Sequence, residues 1–206
     1  MQFYNQHADK LAQQYLSTDF TQVHHAWLHL LDPILSKPKA TVLDLGAGAG
    51  RDSQYLAQLG ALQNIQITAV EPAIKLASLG IKLTKELNVN WINDSLPALT
   101  TVAGSGETYD LILLSAVWMH IPPQQRAQSI ECVASLLKPG GKIVISLRYG
   151  PSGDERVMHS VCVNELIGLA HNEGLTPSLI TKLDNDKLGR SEVKWQTVVL
   201  SEMVRL

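Results

Sequence analysis

The segment Val42-Leu43-Asp44-Leu45-Gly46-Ala47-Gly48-Ala49-Gly50-Arg51-Asp52 constrains this chain more than any other. Its apolar start reads as a buried strand, its alternate glycines as a tight turn, and the polar residues after them as the start of a helix. With no side chains at Gly46, Gly48 and Gly50, the backbone can turn sharply and approach a ligand, and the N–H groups opening the helix favour an anionic group. A carboxylate or phosphate suits such a turn. The dinucleotide fingerprint G-x-G-x-x-G would need glycine at position 51, where this chain has Arg51, which counts against a nicotinamide cofactor.

From there on, short β-branched or leucine-rich runs alternate with stretches of helical period, which predicts repeated βα units and a doubly wound, mainly parallel α/β sheet. Strands are predicted at 41–45, 65–70, 89–93, 111–115 and 141–147, with helices at 52–59, 72–87 and 124–137 between them. In the second helix Leu76, Leu79, Leu83 and Leu87 form one stripe, and the third stops before Lys138-Pro139-Gly140-Gly141. A helix at 163–171 and strands at 175–182 and 193–201 follow, with a polar loop at 184–192 expected to be mobile. Ahead of the sheet, residues 3–16 and 20–31 read as two helices, the second broken off by Asp32-Pro33. One domain over 1–206 is expected, with 1–38 a helical lid and 39–206 the α/β core.

Composition narrows the partners. The 206 residues are 45% hydrophobic and 17% charged, enough for one core. Lys plus Arg number 17 against 19 for Asp plus Glu, so a net charge of −2 gives no general pull towards nucleic acid or anionic lipid. Cys132 and Cys162 form no paired motif, and residues 1–10 lack the apolar stretch of a secretory signal, so a cytoplasmic protein is expected. No apolar run approaches the roughly 20 residues of a membrane-spanning helix. His25, His29 and Asp32 lie at helical spacing, but nothing nearby completes a metal site, and none is expected.

Two further strand ends carry ligand chemistry. Glu71, before Pro72, closes the second strand, where a carboxylate can accept two hydrogen bonds from a ribose diol. Asn93-Asp94-Ser95 follows the third. There Asp94 can accept from an exocyclic amino group of adenine and the next N–H can donate to a ring nitrogen, although Asp94 can instead cap a helix.

The order Asp44…Gly46-Ala47-Gly48, Glu71, Asp94, Tyr109-Asp110-Leu111-Ile112 and Leu137-Lys138-Pro139-Gly140-Gly141 resembles the class I S-adenosylmethionine-dependent methyltransferases over about residues 40–147. The resemblance implies a Rossmann-like seven-stranded sheet with an antiparallel last strand, a role that 193–201 suits. It implies the cofactor S-adenosylmethionine, with its methionine part near Asp44, Gly46, Ala47, Gly48 and Gly50. The ribose would lie at Glu71 and Pro72, the adenine by Asn93, Asp94 and Ser95, and the sulfonium facing Ser115. The stretch Phe3 to Tyr15 is similar to the lid helix preceding the core in many small-molecule members, which makes Tyr4 and Tyr15 lid contacts to substrate.

Methyl transfer from a sulfonium is an in-line displacement in which positioning carries most of the catalysis. For a hydroxyl or protonated amine acceptor a base is useful, and His120 beyond the fourth strand is the candidate. Trp118 is either core or an apolar or cation-binding wall for the substrate. The expected activity is methyl transfer to a small molecule by a monomer or homodimer. The rivals are an RNA or protein methyltransferase, supported by Lys182, Lys187, Arg190 and Lys194 if they cluster, and a module that binds the cofactor or its demethylated product without turnover.

Overall fold

The computed structural model describes residues 1–203, which form two compact units, residues 1–95 and 96–203. In the first, three parallel strands, β1 (Thr41–Leu45), β2 (Gln66–Val70) and β3 (Val89–Ile92), lie in the order β3-β2-β1, with Leu43 opposite Thr68 and Ala69 opposite Trp91. Val42, Leu43, Leu45, Ile67, Ala69 and Val70 are buried, as expected of strands covered on both faces. Helices α5 (Arg51–Leu59) and α6 (Ile74–Leu83) follow β1 and β2.

The N-terminal segment forms α1 (Gln2–Gln6), α2 (Ala8–Leu16), α3 (Phe20–His24), a 3-10 helix (His25–Leu30) and α4 (Leu31–Leu35). The single helix expected over 3–16 breaks at His7, whose backbone leaves the helical region at φ −112° and whose ring stacks on Phe3. Within the helix expected over 20–31, residues 25–30 tighten into the 3-10 form, which aligns side chains three apart and sets Trp27 against His24. Pro33 does not end the helix but sits in the first turn of α4, where its missing N–H would have had no intrahelical partner. The segment docks through apolar packing. Ala8, Leu11 and Ala12 pack with Ala49, Ala73 and Leu76, while Phe20 stacks on Tyr55 of α5 with ring centroids 4.2 Å apart.

Helix α6 stops at Leu83 rather than 87 because Thr84 turns its hydroxyl to Gly80 O and accepts the Trp91 indole N–H at 2.9 Å. Gly80 leaves room for that indole: a Cβ there would lie 2.1 Å from the ring.

The second unit holds α7 (Thr100–Gly104), β4 (Tyr109–Leu114), α8 (Pro123–Ser135), β5 (Leu137–Tyr149), α9 (Val163–Asn172), β6 (Leu175–Ile180), β7 (Asp184–Asn185) and β8 (Lys194–Glu202). Here β4 and β5 are parallel, and β8 runs antiparallel between β5 and β6, so the last strand has the expected direction. Two features differ from expectation. The strand β5 runs through Lys138-Pro139-Gly140-Gly141, absorbed as a slip of register between Tyr109 and Leu111. The polar loop at 184–192 contributes an eighth strand, β7, and is organised by Asp186, which accepts from Arg190 and from the Trp195 indole at 2.8 Å. Among the described residues no helix is long and apolar enough to cross a membrane.

Candidate functional site

The glycine turn joins β1 to α5. Gly46, Gly48 and Gly50 all have positive φ, at 71°, 58° and 88°. Such a turn needs residues without a Cβ penalty. At Gly50 there is a second reason, since a Cβ would lie 3.1 Å from both Gly80 Cα and the Trp91 ring. The turn is tied to β2 by the N–H groups of Gly46 and Ala47, both donating to Val70 O at 2.8 and 3.0 Å.

Glu71, just past β2, is buried. Its Oε2 accepts the Gly48 N–H at 2.9 Å and its Oε1 the Ala73 N–H at 2.8 Å. Among the described residues it makes no ion pair, and burial raises its pKa above the usual carboxylate range against those two N–H bonds. Each oxygen, with two lone pairs, keeps capacity for one more donor. A buried acid of this kind calls for hydroxyl donors. Pro72, half-buried, follows it, and the Asn93 amide donates to the carbonyls of both Glu71 and Pro72 at 3.3 Å. Asn93 is thus a clamp between the β2 and β3 loops. Asp94 Oδ1 accepts the Ser95 N–H at 2.8 Å, and Ser95 is exposed.

Asp44 lies within β1 and is almost fully buried, with its Oδ2 accepting from Ser53 Oγ at 2.6 Å. Burial, and after it the charge of Asp52, push its pKa up to about 7. Asp52 behaves oppositely. Burial would raise it, but His24 and Arg51 overcome that and hold it well below the carboxylate range. Asp52 Oδ2 meets His24 Nε2 at 2.8 Å, and its Oδ1 accepts from Arg51 Nε at 2.6 Å.

Tyr15 and Tyr4 are half-buried against the apolar cluster of α2, Ala49 and α6. The Tyr15 ring lies beside the turn, 3.6 Å from the place a Gly48 Cβ would occupy. These residues all belong to the first unit, which therefore gathers Tyr15, the glycine turn, Glu71 and Asn93.

In the second unit Ser115 follows β4, and Ala116 after it has φ 58°, a left-handed conformation for a residue with a Cβ, its N–H donating to Ser146 Oγ at 2.7 Å. Strain of this kind concentrates at functional loops. His120 ends a 3-10 turn (Trp118–His120), and its Nδ1 lies 3.2 Å from Val157 O. That carbonyl only accepts, so Nδ1 carries the proton and the neutral ring keeps its lone pair on Nε2. Burial lowers the His120 pKa, with Arg156 and Arg148 adding to it. Trp118 is fully buried beneath the Arg126 guanidinium, 6.0 Å from its ring centroid, and is packed as core rather than as an exposed wall. His25, His29 and Asp32 are all exposed.

Reading the sequence alone misses His24 and Ser53. Both act on residues of the glycine motif, and only the Ser at the start of a helix and the His three places before Trp27 hint at it.

Residues 42–141 match the family model of the methyltransferase domain. Over those residues the chain is similar to the methyltransferase domain family, and its fold is that of S-adenosylmethionine-dependent methyltransferases. A ubiquinone biosynthesis O-methyltransferase of Xanthomonas axonopodis pv. citri is 33% identical over 130 residues, 58% of this chain and 51% of that one. The chain thus spans about half the length of the curated relatives it matches. In fold it is similar to magnesium protoporphyrin IX methyltransferase of Synechocystis PCC 6803 solved with S-adenosylmethionine, at a TM-score of 0.66 and 17% identity over 97% of this chain and 84% of that one. An S-adenosylmethionine-dependent methyltransferase of Clostridium acetobutylicum gives 0.70 and 11% over 97% and 99%. The cofactor of the methyltransferase family that it resembles is S-adenosylmethionine, and the buried Glu71 on the glycine turn offers the acceptor oxygens to which a free ribose diol would donate.

Proposed function

We propose that the protein transfers a methyl group from S-adenosylmethionine to a small-molecule acceptor. The observation that carries this reading is Glu71, a buried carboxylate that makes no ion pair among the described residues, held on the glycine turn through Gly48 N–H. Its remaining lone pairs accept the ribose hydroxyls, with Pro72 fixing the loop behind it. Gly46, Ala47, Gly48 and Gly50 present backbone to the methionine part, Asp94 and Ser95 take the adenine edge, and Asn93 acts indirectly by holding the Glu71 loop. Asp44, with little exposed surface, orients the turn through Ser53. Tyr15 and Tyr4, which pack on the same apolar cluster, cover the donor from the N-terminal segment.

Bound S-adenosylmethionine supplies a methyl group activated by its sulfonium. For a hydroxyl or amine acceptor, His120 Nε2 would take the proton released as the acceptor gains the methyl group. Ser115 and the strained Ala116 shape the loop beside that base. The relatives named above support a small acceptor, and Cys132 and Cys162, far apart in the sequence and in no paired motif, suit a reducing compartment such as the cytoplasm.

Incubating the protein with isotopically labelled S-adenosylmethionine and a fractionated cell extract tests the reading. Label in a metabolite supports it. Label in RNA or protein alone replaces the acceptor class, and tight cofactor binding with no labelled product at all replaces transfer by a binding module.

A further inference from the structure

Arg51, the residue that departs from the dinucleotide fingerprint, belongs to a chain of hydrogen bonds that ends on Tyr15. The Trp27 indole N–H donates to His24 Nδ1 at 3.2 Å. An indole nitrogen only donates, so Nδ1 is the acceptor, and Nε2 carries the hydrogen that it donates to Asp52 Oδ2 at 2.8 Å. The other Asp52 oxygen takes Arg51 Nε at 2.6 Å. With its Nε so fixed, Arg51 turns Nη1 to Thr18 Oγ1 at 3.2 Å and to Tyr15 O at 3.4 Å. Tyr15 is the penultimate residue of α2, and its ring lies beside Gly48.

Resting on the reading of the glycine turn as the donor site, we propose that His24, Asp52 and Arg51 form a latch that sets Tyr15 over Gly48 and so controls capture of the donor. They are positioning residues, acting through Tyr15 and the first turn of α5. The arrangement is costly as mere bracing: a buried carboxylate and a largely buried guanidinium lose their hydration, and a stacked apolar contact, Phe20 on Tyr55, already anchors α3 to α5. What the polar chain adds is direction. Apolar packing is tolerant of sliding, whereas each bond in this series fixes an orientation. The latch also joins both sides of the donor's tail, since Asp52 and Arg51 directly follow the turn that Tyr15 covers.

The test compares wild type with Arg51→Leu, Tyr15→Ala, their double variant and His24→Gln, the last keeping an N–H at the place of Nε2. Two quantities are read: S-adenosylhomocysteine affinity by calorimetry, and amide exchange of residues 2–16 in the free protein. The latch predicts that Arg51→Leu weakens the ligand about tenfold and speeds exchange in α1 and α2, while β1 to β3 keep wild-type protection. Its effect on affinity is not additive with that of Tyr15→Ala, because both act through one ring. His24→Gln stays within a few-fold of wild type. Additive effects, or unchanged exchange in Arg51→Leu, overturn the latch. Failure of wild type to bind S-adenosylhomocysteine instead overturns the donor site and with it the role in capture, while the exchange data still report whether Arg51 holds α2.

Discussion

Ser53 donates its hydroxyl hydrogen to Asp44 at 2.6 Å, inside a core where Asp44 has almost no contact with solvent. One hydrogen bond does not offset burial beside the Asp52 charge, so Asp44 titrates near 7 rather than near 4. Between those values the folded chain holds a proton that the unfolded chain has released. The folded state is then favoured at low pH within that window, and its stability falls as pH rises through 7. Asp52, shifted the other way, loses its contribution only below the ordinary carboxylate range. Melting temperatures from pH 5 to 8 should therefore fall for the wild type more steeply than for Asp44→Asn, which keeps an acceptor for Ser53. Parallel curves would show that Asp44 is ionised throughout.

Removing the Glu71 side chain has two separable effects. Glu71→Ala leaves the N–H groups of Gly48 and Ala73 without their acceptor, costing about 1–3 kcal/mol each. It also removes the partner proposed for the ribose. Denaturant unfolding should show the first effect, and calorimetry with S-adenosylmethionine the second, as a loss of binding larger than that given by Asp94→Ala.

A methyl group at Gly80 would meet the Trp91 indole at 2.1 Å, and Thr84 holds that indole in place. Gly80→Ala gains up to about 1 kcal/mol of helix propensity, but overpacking costs about 1–3 kcal/mol and the ring must leave its hydrogen bond. A lower denaturation midpoint and a red-shifted tryptophan emission are expected. The neighbouring Gly50 contact makes a weaker donor affinity the accompanying result.

His120 has its pKa lowered by burial, so it is neutral and able to take a proton at pH 7. The acid limb of the kcat profile should lie below pH 6.5, the ordinary value for histidine. His120→Ala should lower kcat about 10²–10⁴-fold and flatten that limb, with donor affinity unchanged. A variant that retained both rate and limb would remove His120 from the mechanism.

What a reader of the sequence can foresee follows the range of the interactions. Strand β1 falls on 41–45 as predicted because every residue of that run after Thr41 is buried, and α5 is announced by the glycines before it. The end of α6 is not foreseen, since the stripe to Leu87 continues past the point where Thr84 meets Trp91. The same limit applies at the site. Positions of Gly46, Gly48, Glu71 and Asn93 can be read from strand ends, but the use of Asn93 as a clamp and of His24 on Asp52, 28 residues away, depends on tertiary proximity that no local pattern encodes. Trp118 shows the converse, an aromatic whose setting under Arg126 only the packing decides.

The amide of Asn93 reaching the carbonyls of Glu71 and Pro72 makes the loops after β2 and β3 into one mechanical piece. Changing the length or composition of the loop after β3 will drag Glu71, the acid proposed for the ribose, with it. Attempts to broaden the enzyme towards donor analogues with altered bases should therefore vary both loops together, or first replace the crosslink that couples them.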